Sequence, residues 1–266
     1  MKRLAPVLML AAFVAGCAVN PVTGKTELSL ISRDQEIALG REAAPEFEKE
    51  FGDKVADAQL QAYVQTIGGR IAAVSDRPMP YEFALLNSDV PNAFAMPGGK
   101  VYVTKGLMKL MTNERQLAAV IGHEVGHVAH KHSVNMLQRQ MGTAILVEIA
   151  AQASGSETVG QVAQVVGNLK GLQHSRQQEY QADSAGIKYM AKARYNPHGM
   201  VELLTHLQSL STSQPGRLDE MFSTHPLTPE RIKEAQELIR KNHPTAQPGT
   251  TDPNAERFGR MKASLR

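Results

Sequence analysis

The chain has 266 residues, of which 42% are hydrophobic, so it can bury the core of one large or two small domains. Its 29 basic and 26 acidic side chains leave a formal net charge of +3, which gives no electrostatic case for binding nucleic acid. The single cysteine excludes an internal disulfide.

The amino terminus has the pattern of a bacterial lipoprotein signal sequence. Lys2 and Arg3 precede the apolar stretch Leu4–Val14, which is too short for a stable transmembrane helix. Val14-Ala15-Gly16-Cys17 then has the form of a lipobox. We therefore expect residues 1–16 to be a cleaved signal peptide and Cys17 to be lipidated.

Removal of residues 1–16 takes away two basic side chains and no acidic ones, so the formal charge falls from 29 − 26 = +3 to 27 − 26 = +1. Ala18, rather than aspartate, follows the cysteine, and under the sorting pattern of lipoproteins this favours the periplasmic side of the outer membrane. Residues 17–31 contain turn formers and are expected to be an extended, lipid-anchored tether.

Helices and short strands are expected after the tether. Ser32 and Gln35 form the N-terminal signature of a helix that runs to about residue 50, and a second helix is expected over about 56–75. Alternating or short apolar runs predict strands at Tyr81–Leu86 and Lys100–Thr104.

The segment between these two strands is apolar and bounded by Gly and Pro, which argues against a long helix. An exposed strand edge supplies backbone hydrogen bonds that can hold an extended polypeptide. We predict a substrate-binding edge at Ala93, Phe94, Ala95 and Met96.

One segment holds two histidines four residues apart, His123 and His127, with Glu124 directly after the first. On a helix both imidazoles lie on one face and can share a cation, while Glu124 can take a proton from water at the metal. Chance yields this motif in roughly one of fifty such chains, and a core helix with packed histidines is the alternative. Asn113 as N-cap and apolar residues at helical spacing predict one buried helix over about 113–136.

A catalytic zinc ion needs a third protein ligand and one open position. Glu179 and Asp183 are four residues apart and share one face of a second predicted helix. Glu179 is the expected third ligand of one zinc ion per chain, and Asp183 is expected to accept the free ring N–H of His123. Taken alone, this carboxylate pair would indicate a solvated helix face.

Residues 141–173, between the two ligand helices, are rich in Ala, Gly, Val and Gln, and polar residues interrupt their apolar runs, so a membrane span is not expected. We expect two amphipathic helices that cover the active cleft or rest on a partner or on the bilayer. Residues 32–243 are expected to form one metallopeptidase domain, and residues 244–266 a flexible C-terminal tail.

Four motifs occur in a fixed order: Asn92–Gly99, HEVGH at His123–His127, EYQAD at Glu179–Asp183, and STHP at Ser223–Pro226. Together they resemble the CAAX-prenyl-protease-like family of gluzincin metallopeptidases, and its soluble bacterial lipoprotein branch in particular. The resemblance implies a zincin-like fold that is mainly α with a small β-sheet (α+β). It also implies one zinc ion and endopeptidase activity on misfolded or unassembled envelope proteins.

The resemblance assigns further site residues. Asn92 is similar in place to an asparagine whose amide binds substrate, with a turn-capping asparagine as the alternative. His225 and Arg231 match a histidine and an arginine that stabilise the reacting oxyanion. His225 could instead be a fourth zinc ligand that leaves the enzyme latent, or a loop histidine, and Arg231 could be a surface charge. The remaining histidines are not expected to bind the metal: His130, His132, His174, His198, His206 and His243.

Two other functional classes compete with a zinc endopeptidase. An envelope chaperone or assembly factor would keep a structural zinc and bind unfolded chains, but pure binding needs no base such as Glu124. A zinc-dependent peptidoglycan amidase suits the compartment, but its ligand pattern usually differs. The expected partners are unfolded or misassembled envelope polypeptides, and the membrane through lipidated Cys17, with no nucleic acid.

Overall fold

The computed structural model describes residues 17–19, 26–28, 31–151 and 156–265. The predicted signal peptide, residues 1–16, lies outside this part of the chain, as do residues 20–25, 29 and 30 of the predicted tether. Cys17–Val19 and Thr26–Leu28 form an antiparallel pair of strands, β1 and β2.

Helices make up most of the described chain. Their bounds are α1 (Arg33–Glu50), α2 (Ala58–Ala72), α3 (Lys105–Leu110), α4 (Glu114–Ala129), α5 (His132–Met141), α6 (Thr143–Ala151), α7 (Ser156–Lys170), α8 (Arg176–Lys192), α9 (His198–Ser213), α10 (Asp219–Thr224), α11 (Pro229–Asn242) and α12 (Ala255–Ala263). Within the described ranges, none of them has both the length and the apolar character that crossing a bilayer requires. The predicted fold class, mainly α with a small sheet, is confirmed.

A mixed sheet is formed by β3 (Glu82–Leu86), β4 (Ala93–Ala95) and β5 (Lys100–Thr104) in the order β3-β5-β4. Strand β5 pairs parallel with β3 and antiparallel with β4, so that Phe94 lies opposite Tyr102. Strand β4 is thus at the edge of the sheet, but Ala93, Phe94 and Ala95 are all buried, so the edge is not exposed as expected from the sequence.

The sheet separates two apolar clusters, because successive residues of a strand point to opposite faces. Leu85 and Val103 belong to the cluster formed with α2, α4, α8 and α9. Leu86 and Tyr102 belong to the other cluster, which includes side chains of α1, α5, α6 and α7. The sheet therefore holds α1 and α4 on opposite sides.

The two helices predicted within residues 141–173 are α6 and α7, and both pack against α1. Leu146 and Ile149 of α6 and Val165 and Leu169 of α7 are buried in this contact region. Leu169 also lines a cavity that His225 reaches. The described apolar side chains of these helices thus cover the protein's own body, next to the predicted site.

The single helix predicted over 113–136 is two helices, which corrects the sequence analysis. Helix α4 ends at Ala129, and Lys131 adopts a left-handed backbone conformation with φ 59° before α5 begins at His132. A non-glycine residue in this region breaks the helical path, so α5 starts in a new direction. His132 is therefore not on the continuation of the α4 helix.

A buried ion pair holds the end of α4 against α1. Arg77 Nη1 lies 3.0 Å from Glu36 Oε1, and Arg77 Nη2 lies 2.5 Å from Glu36 Oε2. Arg77 Nη1 also donates to the carbonyl oxygen of Val128 at 2.8 Å. This bond satisfies a carbonyl in the last turn of α4, where a helix leaves such groups without an intrahelical partner.

Residues 252–265 pack on the body of the protein, in contrast to the flexible tail predicted from Pro and Gly content, while most of residues 244–251 are exposed. Helix α12 contacts α2, and Phe258 is fully buried in the larger cluster. Arg257 pairs with Glu114 at 2.7 Å, and Asp252 accepts from the backbone N–H of Arg115 at 3.0 Å. The tail finds its partners at the start of α4, which its own sequence does not reveal.

Helices α4 and α8 approach closely through residues with small side chains. A Cβ added at Gly122 would lie 3.2 Å from Gly186 Cα, and one added at Gly126 would lie 2.8 Å from Ala182 O. Backbones can come this near only where glycine or alanine faces the partner helix. The residues that follow these two glycines are the motif histidines, His123 and His127.

Phe258→Ala is expected to lower the free energy of unfolding by about 3 to 5 kcal/mol, because it removes a buried ring from the core. Urea denaturation of the full chain measures the change. Arg260→Ala is the matched control, since its side chain is 68% exposed on the same helix, and it should change stability by less than about 1 kcal/mol. Equal stability of both variants would contradict the docking of α12.

Gly126→Ala is expected to destabilise the protein by about 1 to 3 kcal/mol, because the methyl group overlaps the backbone of α8. Gly69→Ala on α2 is the control, because no atom of the described residues lies within 4 Å of the added Cβ. Urea denaturation measures the stability of both variants. If Gly126→Ala is as stable as Gly69→Ala, α4 and α8 are not tightly apposed.

Candidate metal centre

Four side chains from separate elements meet in the interior. His123 and His127 come from α4, Glu179 comes from the first turns of α8, and His225 follows α10 directly. Their ligand atoms all lie within 4.8 Å of one another. The separations include 2.9 Å between His123 Nε2 and His127 Nε2, 3.5 Å between His123 Nε2 and Glu179 Oε2, 3.4 Å between His127 Nε2 and Glu179 Oε1, and 3.2 Å between His225 Nδ1 and Glu179 Oε1.

These donors fit a tetrahedral metal ion. Metal–ligand bonds of about 2.0 to 2.1 Å put neighbouring ligand atoms roughly 3.3 Å apart, close to the separations found here. All four residues are buried, and the set consists of three imidazoles and one carboxylate. Nitrogen and oxygen donors of these kinds are the ligands that Zn²⁺ and similar ions bind in proteins. The cluster can therefore hold a metal ion.

Asp183 lies behind His123, one helical turn beyond Glu179 on α8. Its Oδ1 is 2.8 Å from His123 Nδ1. The ionised carboxylate of Asp183 can only accept a hydrogen bond, so His123 carries its hydrogen on Nδ1. Its bare Nε2 faces the other donor atoms of the cluster. Burial would raise the pKa of Asp183, but Arg231 and the hydrogen bond from His123 outweigh it and lower the pKa.

Arg231 is buried, so it is not a surface charge. Its Nε and Nη2 bond the carboxylate of Asp183 at 2.7 and 2.8 Å, and its Nη1 lies 2.6 Å from Glu179 Oε2 and 3.1 Å from the carbonyl oxygen of Pro226. Arg231 also lines the cavity beside Glu124 and His225, and its predicted role in stabilising the oxyanion stays a prediction. Two buried carboxylates lie within reach of the guanidinium, and their desolvation is offset by its charge.

Glu124 and Glu179 have opposite electrostatic environments. Burial raises the pKa of Glu124, and its Oε2 has no hydrogen-bond partner. Burial also acts to raise the pKa of Glu179, but His225, His123 and Arg231 lower it well below the usual range. Glu179 is thus ionised, whereas Glu124 is a carboxylate with higher proton affinity and an oxygen without a partner among the described residues. These are the properties that a general base needs.

His225 faces both carboxylates. Its Nε2 is 3.9 Å from Glu124 Oε1, and its backbone N–H donates to the carbonyl oxygen of Met221 at 2.8 Å. Burial acts to lower its pKa, but the carboxylates of Glu179 and Glu124 raise it. A buried histidine with these contacts is not an ordinary loop residue. In this arrangement His225 is one of the four converging donors, as the fourth-ligand alternative requires.

The predicted substrate edge lies beside these groups. Ala93 lines an apolar cavity together with Glu124, His225 and side chains of α9 and α10. Ala95 faces the same large cluster as Ala93, whereas Phe94 and Met96 point into the opposite cluster. The edge thus offers backbone and small side chains on the side of Glu124.

Two polar side chains form hydrogen bonds with backbone groups of β4. Asn92 Oδ1 accepts from the N–H of Ala93 at 2.9 Å, which is the capping role, while the buried Nδ2 of Asn92 has no hydrogen-bond partner. Ser133 Oγ donates to the carbonyl oxygen of Ala95 at 2.6 Å. Asn92 therefore caps the strand and keeps a donor for another group.

The sequence analysis missed two histidines near the motif. His132 Nδ1 lies 2.8 Å from His127 Nδ1, and the ring centroid of His174 lies 4.0 Å from that of His127. Burial lowers the pKa of His132 to about 3 and that of His174 well below its usual range, so both rings are neutral. Only the break at Lys131 and the path of the chain after α7 bring them here, and neither follows from residue spacing.

Comparisons with known proteins agree with this site. The sequence model of peptidase family M48 matches residues 58–239. The beta-barrel assembly-enhancing protease of Yersinia pestis is 31% identical over 247 residues, which are 85% of this chain and 49% of that protein. The mitochondrial metalloendopeptidase OMA1 of Schizosaccharomyces pombe is 29% identical over 223 residues, 82% of this chain and 65% of that protein.

The metalloprotease LoiP of Escherichia coli K12 is 30% identical over 213 residues, which are 79% of this chain and 82% of LoiP. The chain spans about half the length of the beta-barrel assembly-enhancing proteases that it matches. These matches confirm the predicted enzyme class, a metalloendopeptidase, and the zincin-like fold. The chain therefore belongs to peptidase family M48.

Proposed function

We propose that this chain is a zinc-dependent endopeptidase of the bacterial cell envelope that cleaves misfolded or unassembled envelope proteins. The observation that carries the proposal is Glu124, a buried carboxylate with a free oxygen beside four converging metal donors. The names of the bacterial relatives, which refer to beta-barrel assembly, support substrates of the envelope.

In the proposed site, His123, His127 and Glu179 hold one zinc ion. When bound, the ion acts as a Lewis acid that polarises the scissile carbonyl and makes water more acidic. Glu124 takes a proton from the attacking water and later delivers it to the leaving amine, a task for which its raised pKa is suited. The apolar walls of the neighbouring cavity exclude water and accept an apolar side chain of the substrate.

The substrate is proposed to lie along β4. The free Nδ2 of Asn92 can donate to a peptide carbonyl, and the backbone of Ala93 to Met96 can pair with an extended chain. Because these residues are buried, neighbouring groups must move aside and Ser133 must release the carbonyl of Ala95 before a chain can pair along β4. A segment without stable structure meets these demands most easily, which supports unfolded polypeptides as substrates.

His225 has two proposed roles. As the fourth donor it keeps the site closed, and once displaced toward Glu124 its imidazolium can stabilise the oxyanion of the reacting carbonyl. Arg231 supports both states, because it neutralises Asp183 and Glu179. We infer these roles of His225 and Arg231 from the carboxylates that contact them, which are Glu124 and Glu179 for His225 and Asp183 and Glu179 for Arg231.

The lipoprotein branch of the CAAX-prenyl-protease-like proteins remains the proposed placement of the chain within its family. The lipobox ahead of Cys17 supports a lipid anchor on the periplasmic side of the outer membrane. A lipid anchor would hold the enzyme at the surface where envelope proteins assemble.

Glu124→Gln is expected to keep one zinc ion per chain but to lower the rate of peptide cleavage by roughly 10²-fold or more, because the amide cannot accept the proton. His123→Ala should lose the metal as well. Zinc content by elemental analysis and cleavage of a fluorogenic casein measure the two effects. Cleavage by Glu124→Gln at a near wild-type rate would refute the role of this residue.

Metal removal tests the function itself. The full chain is expected to fragment casein, to stop when 1,10-phenanthroline removes the metal, and to recover when zinc is restored. A chaperone would suppress aggregation of unfolded protein without producing fragments, with or without the chelator. Release of muropeptides from peptidoglycan, rather than of peptides from casein, would point to an amidase.

A further inference from the structure

The outer edge of the His127 ring makes a chain of two hydrogen bonds. His127 Nδ1 lies 2.8 Å from His132 Nδ1, and His132 Nε2 lies 3.0 Å from Gln181 Oε1. His132 is the first residue of α5, and Gln181 is on α8, two residues beyond Glu179. The ring of His127 is thus supported directly by a side chain of α5, which is in turn bonded to a side chain of α8.

The side-chain amide of Gln181 determines which nitrogen of each ring carries the hydrogen. A carboxamide oxygen only accepts, so His132 must carry its hydrogen on Nε2. A neutral imidazole has one N–H, which leaves His132 Nδ1 as an acceptor. The hydrogen between the two rings therefore belongs to His127 Nδ1, and His127 Nε2 is bare on the side where the other donors converge.

We propose that His132 and Gln181 are positioning residues that fix the tautomer and orientation of His127 for metal binding. The inference rests on the proposed zinc site and deepens it. His123 has the corresponding support from Asp183. The two supports differ in charge, because Asp183 is an ionised carboxylate balanced by Arg231, whereas His132 and Gln181 are neutral.

A second metal site is the competing interpretation, since donor atoms of His127, His132 and His174 also lie within 4.8 Å of one another. The hydrogen bond argues against it. A neutral imidazole has one bare nitrogen, so His127 Nδ1 carries the hydrogen that it donates to His132 Nδ1 when its Nε2 binds the first ion, and it cannot bind a second. Only Nε2 of His127 can therefore bind a metal ion, and His127, His132 and His174 do not form a second metal site.

Zinc affinity of the full chain tests the proposal, measured by competition with a fluorescent chelator. His132→Leu removes the acceptor and is expected to weaken zinc binding by roughly 10- to 100-fold. His132→Asn places an amide oxygen where Nδ1 was, so it should restore most of the affinity. The absorption spectrum of the cobalt-substituted protein should change in the leucine variant and return in the asparagine variant.

His206→Leu is the matched control, because its ring bonds the backbone carbonyl of Leu110 and not a ligand side chain. It should leave zinc affinity unchanged. Gln181 is half-buried and is the last residue in the series of hydrogen bonds, so Gln181→Leu should lower zinc affinity less than His132→Leu does. If His132→Leu does not fold, the zinc affinity of Gln181→Leu tests the proposal instead. Thermal unfolding of the metal-free variants identifies such a failure.

The proposal is overturned if His132→Leu binds zinc as tightly as the wild type, or if the asparagine variant is as weak as the leucine variant. It is also overturned if the wild type binds two zinc ions and His132→Leu loses one of them. These measurements require no proteolysis, so an inactive but zinc-binding wild type would contradict the proposed function and leave the positioning role intact.

Discussion

The close contact of α4 and α8 is the constraint on which the site depends. Gly122 and Gly126 let the backbone of α8 approach the motif helix until little more than van der Waals contact separates them. At that distance Glu179 reaches both motif histidines from across the interface. The positions of the three predicted metal ligands are thus set by the packing of two helices, which holds them more accurately than loops would.

Helix α8 supplies more than the predicted third ligand. Glu179, Gln181 and Asp183 lie in its N-terminal half, and each contacts a different histidine of the cluster. The two buried carboxylates, Glu179 and Asp183, would be unfavourable without compensating charge. Arg231 and His225 provide it, so the electrostatic balance of the site depends on segments near α10 and α11 as well as on the motif itself.

The features that the sequence predicts well are local. The spacing of His123 and His127 fixes their common face, and Ser32 with Gln35 forms the predicted capping box at the start of α1. Strand β5 has the predicted bounds, because Lys100–Thr104 is a short β-branched run between turn residues.

The features that it misses depend on contacts between distant residues. The helix break at Lys131 leaves no mark in the apolar periodicity, and without it His132 could not turn toward His127. His174 has no partner at helical spacing, and only the course of the chain after α7 brings it to the motif. Residues 244–265 have the composition of a tail, yet Phe258 has a place in the core.

Glu114 connects the metal helix with residues far along the chain. Its buried carboxylate accepts hydrogen bonds from Tyr63 and Tyr195 and from the guanidinium of Arg257. Arg257 therefore ties a segment beyond residue 250 to the N-terminal end of the helix that carries His123 and His127. Truncation ahead of Arg257 would leave the buried carboxylate of Glu114 without this guanidinium, and an uncompensated buried charge destabilises the element that holds it. The stability of α4 thus depends on a residue 143 positions away from Glu114 in the sequence.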